Sequence, residues 1–70
     1  MPRDEAYRVA VALYHAYCRR YTCEPLATDP VLSRIGKTYV YLRSAEGSVA
    51  RVDMVAREVV AALVGPPVVA

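Results

Sequence analysis

Residues 38–52 read TYVYLRSAEGSVARV, and the interpretation of this stretch decides the fold. Thr38, Val40 and Leu42 alternate with Tyr39, Tyr41 and Arg43, a period of two that belongs to a strand with two chemically different faces. Ser44 to Gly47 has turn chemistry, and Ser48 to Val52 resumes as a second strand. A three-residue loop, Ala45-Glu46-Gly47 with Gly47 at positive φ, sets Ser44 opposite Ser48 and Arg43 opposite Val49. It also sets Leu42 opposite Ala50, Tyr41 opposite Arg51 and Val40 opposite Val52. Val40, Leu42, Ala50 and Val52 then share an apolar face, and Tyr39, Tyr41, Arg43 and Arg51 share the other. A four-residue loop would instead put Arg51 beside Val40 and bury its charge among aliphatic side chains.

Upstream of the hairpin, the chain has helical periodicity from about Asp4 to Tyr21, with Asp4 and Glu5 in the first turn, where the helix dipole favours negative charge. Ala6, Ala10, Leu13, Tyr17 and Tyr21 fall on one face, opposite Arg8, Ala12, His15 and Arg19. A second apolar row, Tyr7, Val11, Tyr14 and Cys18, runs along the flank of the first. Residues 22–37 read as connection, broken by Pro25 and Pro30, with Asp29 capping a short helical turn over 30–35 that Gly36 ends.

Downstream, Asp53 is a helix cap and Gly65 followed by Pro66 a helix stop. The intervening residues, 53–64, read as a second helix that buries Val55, Val59 and Leu63, with 65–70 as a tail. The sequence therefore predicts one small α+β domain over 1–70 in the order α-β-β-α, a two-stranded antiparallel hairpin packed against two helices.

A 70-residue chain buries only roughly 60% of its unfolded surface, so such a domain needs further stabilisation. Its 56% hydrophobic and 23% charged content places it among folding chains. Two apolar helix rows and a Tyr-rich hairpin face exceed what one hairpin and one short helix cover. Association is therefore expected, with Tyr7, Val11, Tyr14 and Cys18 as the oligomer interface.

The N-terminus mixes Arg3 with Asp4 and Glu5 and lacks a signal-peptide pattern. The apolar segment from Val59 is interrupted by Pro66 and Pro67 before reaching the ~20 residues of a membrane span, so a cytoplasmic chain with no membrane partner is expected.

No catalytic arrangement emerges, because a lone His15 and scattered carboxylates name no nucleophile, base and oxyanion donors together. No enzyme activity and no cofactor are expected. His15, Cys18 and Cys23 fall short of the four ligands of a structural zinc site, so no metal is expected. Cys18 and Cys23 lie beyond the roughly 7 Å bridging limit in an intact helix, and two free thiols follow unless the helix ends early.

The surface that remains is Tyr39, Tyr41, Arg43 and Arg51. The reading is a non-catalytic homo-oligomeric interaction or regulatory module, with a second copy or another protein as partner. The alternative is a nucleic-acid-binding domain in which this face stacks bases on tyrosine and holds phosphate with arginine. The net charge of +2, spread over every segment, weighs against that alternative.

Overall fold

The computed structural model describes residues 1–69. One helix, α1 (Arg3–Arg20), is followed by β1 (Arg34–Ile35), β2 (Tyr39–Ser44), β3 (Gly47–Asp53) and β4 (Glu58–Ala62). The strands form one antiparallel sheet in the order β1-β2-β3-β4. The expected α-β-β-α arrangement is thus corrected to a helix lying across a four-stranded meander.

Helix α1 begins after an extended Pro2, whose carbonyl accepts the N–H of Ala6 at 2.9 Å. Its ends carry Asp4 and Glu5 at the start and Arg19 and Arg20 at the finish, each opposite in sign to the helix dipole. Its buried seam is Ala6, Ala10, Tyr14 and Cys18, an i, i+4 row. That seam lies between the two rows read from the sequence, with Tyr7 and Val11 on one flank and Leu13 and Tyr17 on the other. Tyr21, expected on the buried face, is exposed because the helix has already ended.

The helix expected over 53–64 is a turn followed by β4. Asp53 does cap, accepting the N–H groups of Val55 and Ala56 on Oδ1 at 2.9 and 3.0 Å. The cap serves a single reversal over residues 54–57, in which Arg57 takes φ 57, and the chain then returns along β3. A short apolar run such as EVVAA fits either element by periodicity, and here the free edge of β3 decides, since pairing satisfies its backbone groups. Val55 and Leu63, expected in the buried stripe of the helix, are 78% and 61% exposed. The β3–β4 register shifts between Arg51 and Val52, which leaves Val60 without a partner in the ladder.

The hairpin keeps Val40 opposite Val52, Tyr41 opposite Arg51 and Leu42 opposite Ala50, as the sequence predicts. Nearer the turn the register shifts by one, so Arg43 faces Ser48 and Ser44 faces Gly47, not Val49 and Ser48. The extra residue has moved out of the loop and into the strand as a bulge, which lets Val49 and Ala50 both be buried. Gly47 holds φ +123, and the Ser44 hydroxyl accepts the Glu46 N–H at 3.2 Å.

The helical turn expected over 30–35 is shorter. The Asp29 side chain accepts the Val31 N–H and its carbonyl accepts the Ser33 N–H, after which β1 begins. Arg34 pairs with Tyr41 and Ile35 with Val40. The buried Ser33 hydroxyl donates to the Asp29 carbonyl at 2.7 Å and accepts the Arg43 N–H at 3.0 Å, so a side chain extends the ladder where β1 is too short. Gly36 forms the β1–β2 turn, where a Cβ would sit 2.9 Å from the Tyr39 carbonyl oxygen.

The connection and the tail also close on the helix. Arg3 donates to the carbonyls of Pro30 and Ser33, and Tyr7 shares a 2.6 Å hydrogen bond with Thr28. Tyr14, with no exposed surface, accepts the Leu26 N–H at 2.9 Å and donates to the Leu63 carbonyl at 2.8 Å. Residues 63–68 form a further ladder with the segment after α1, through Gly65 N–H to Glu24 O, Glu24 N–H to Pro66 O and Val68 N–H to Thr22 O. Residues 65–68 of the expected tail are therefore built into the fold, and Ala70 lies outside the described residues.

Tyr14→Phe keeps the ring and removes both hydrogen bonds. It is expected to cost about 1–3 kcal/mol in urea unfolding, since two backbone groups lose their partner. Gly47→Ala meets no atom within 4 Å, so its cost is purely conformational. A loss of about 1–3 kcal/mol is expected at that position, against under about 0.5 for Glu46→Ala, and equal losses would contradict the turn.

Candidate functional site

The helix covers one face of the sheet and leaves the other open. Because side chains alternate along a strand, Tyr39, Tyr41 and Arg43 of β2 project to the open face. Cross-strand pairing then adds Arg34 and Arg51 on either side of Tyr41, with Ala61 beyond Arg51. All four residues expected to form a binding surface, Tyr39, Tyr41, Arg43 and Arg51, lie together on this face. Arg34 was missed because the two-residue β1 is too short to show a period, and its neighbourhood carries helix-cap chemistry.

Tyr41, 39% exposed, forms a ridge between two concavities. One, of about 500 Å³, is lined on the β3–β4 side by Val49, Ala50, Arg51, Ala61 and Leu63. The other, also about 500 Å³, lies toward β1 between Arg34 and Arg43. The Tyr39 and Tyr41 ring centroids are 6.4 Å apart at 52°, and the Arg51 guanidinium sits 5.3 Å from the Tyr39 centroid, a cation–π contact that holds the arginine across the strands. The far end of the face is acidic, with Asp53 opposite Tyr39 and Glu58 opposite Asp53. Asp53 is committed to its turn, and Glu58 also lines a cavity on the helix side with Tyr17, Arg20 and Arg57.

The residues expected to form an oligomer interface are placed differently. Tyr14 and Cys18 are fully buried in the chain's own core, and Tyr7 is bonded to Thr28. Tyr14 and Cys18 therefore belong to the core, while Tyr7 and Val11 of the same row stay half-buried. The sequence showed the apolar row and not how it divides, because the segment bonded to it has no periodicity of its own.

Cys18 and Cys23 are free and buried. Burial pushes the Cys18 thiol up, as does its neighbour Cys23, with Tyr14 acting in the opposite direction. Burial likewise pushes the Tyr14 phenol up. His15 lies on the helix flank, its ring centroid 6.0 Å from that of Tyr14. Among the described residues no group of three or more His, Cys, Asp or Glu is placed to hold a metal ion, and no helix is long and apolar enough to cross a membrane.

Comparison with protein-family models, curated proteins and solved structures finds no match for the chain.

The raised Cys18 and Tyr14 values have a definite sign in stability. The unfolded chain ionises these groups at their ordinary values, 9.0 and 10.0, before the folded chain does. Stability is therefore full below about pH 9 and declines above it as the unfolded state sheds protons. Thermal melts across the alkaline range are expected to show this decline, and Cys18→Ala to make it shallower; a flat profile would oppose it.

Proposed function

We propose that the chain is a non-catalytic association module and that a second copy of the chain occupies its open sheet face. The observation that carries this reading is the pattern on that face: a half-exposed Tyr41 beside an apolar concavity, flanked across the strands by Arg34 and Arg51. A two-fold axis through Tyr41 lays one face antiparallel on its copy, bringing Arg43 over the partner's Tyr39 and the two Tyr41 rings into the centre. Such an isologous contact is closed and uses the same patch twice. An aromatic anchor within an arginine-bearing rim is also the composition that dominates interface energetics.

A second reading rests on the same arginines. Arg34, Arg43 and Arg51 surround two rings 6.4 Å apart, which suits a single strand of nucleic acid whose bases stack on them separately. The small net charge favours the second copy.

Sedimentation at micromolar concentration is expected to give a dimer, with a melting temperature that rises with protein concentration. Tyr41→Ala should weaken the dimer by about 2 kcal/mol, roughly thirtyfold in Kd. Arg43→Glu should also weaken it. Oligonucleotide binding should stay at background. A monomer at every concentration, joined by salt-sensitive oligonucleotide binding that Tyr41→Ala abolishes, would transfer the face to the second reading.

A further inference from the structure

Helix α1 ends in a way that joins two residues the sequence separates. Thr22 takes φ 54, the Cys23 N–H donates to the Cys18 carbonyl at 3.0 Å, and the Thr22 N–H donates to the Arg19 carbonyl at 3.3 Å. These are the two hydrogen bonds of a Schellman motif, in which the residue after the left-handed position folds back over the last turn of the helix. In a continuing helix, residues five apart point about 140° away from each other. Here Cys23 returns onto Cys18, and its thiol donates to the Cys18 carbonyl at 3.6 Å.

We propose that Cys18 and Cys23 are a two-thiol reaction site that exchanges with small disulfides and closes into an intrachain disulfide. The backbone hydrogen bond between the two residues limits their alpha carbons to under about 7 Å on standard bond lengths, within the bridging limit. A cavity of about 370 Å³ lined by both cysteines, Thr22, Pro25 and Val68 gives access from solvent. Cys23, 9% exposed, meets the reagent first, and Cys18, 1% exposed, lies behind it.

The chemistry balances with a low-molecular-weight disulfide as oxidant. Cys23 loses its proton to water, and its thiolate attacks one sulfur of the reagent, forming a mixed disulfide and releasing one small thiolate. Cys18 then gives up its proton and attacks the Cys23 sulfur, which forms the Cys18–Cys23 bond and expels the second small thiolate. Two protein thiols are oxidised, one small disulfide is reduced, and the two protons end on the two small thiols.

The test uses the whole native chain and oxidised glutathione, followed by acid quench, alkylation and peptide mapping without reduction. Both thiols are expected to disappear together, with a mass loss of two hydrogens. Trypsin cuts at Arg19 and Arg20, so the peptides carrying Cys18 and Cys23 should stay joined by the disulfide alone. In Cys18→Ala, with folding verified by its melt, the reaction should stop at a glutathione adduct on Cys23. A lasting adduct in the unaltered chain with Cys18 still free, a link between chains, or no thiol loss where the unfolded chain oxidises would each overturn the proposal.

Discussion

The hydroxyl of Tyr14 is a polar group at the centre of the protein, and the arrangement around it follows from having to satisfy it. A buried hydroxyl left unpartnered costs on the order of 1–3 kcal/mol, a large share of the stability of so small a domain. Tyr14 avoids that cost by accepting from Leu26 in the connection and donating to Leu63 beyond β4. One side chain thus fixes the helix, an irregular segment and the end of the sheet relative to each other. Ala6 and Ala10 continue the same buried seam of the helix toward its start. The ladder between residues 22–24 and 63–68 then holds the two partners of that hydroxyl near each other.

The parts of this fold that were legible in the sequence are those where a local pattern and the tertiary environment agree. The alternation in TYVYLR and the avoidance of a buried Arg51 were enough to place three of the hairpin pairs, and the helix over Arg3–Arg20 followed from its period and its end charges. The last third of the chain was misread because its signals are local and ambiguous. Asp53 caps a turn with the same hydrogen bonds it would use to start a helix, and Gly65 and Pro66 end a strand-forming region as readily as a helical one. What separates the alternatives is the unpaired edge of β3, which lies outside any sequence window around Glu58–Ala62.

The candidate site divides along the same line. Tyr39, Tyr41, Arg43 and Arg51 were readable because they belong to the hairpin whose register was readable. Arg34 reaches the same face through a strand of two residues, and no pattern of that length stands out. The thiol pair was hidden for another reason: it depends on Thr22 occupying a conformation usually given to glycine, and nothing in YTCE announces it.

The register shift at Val60 bears on how far association can proceed. β4 is the outer strand of the sheet, and an unbroken row of free amides and carbonyls along it would template the strand of another molecule, then another. The displaced residue breaks the spacing of that row midway through the strand. Pairing along the hydrogen-bonding direction is thereby disfavoured at β4, while the flat of the sheet is left untouched. Protection of that edge matters most for a chain whose last third is so rich in valine.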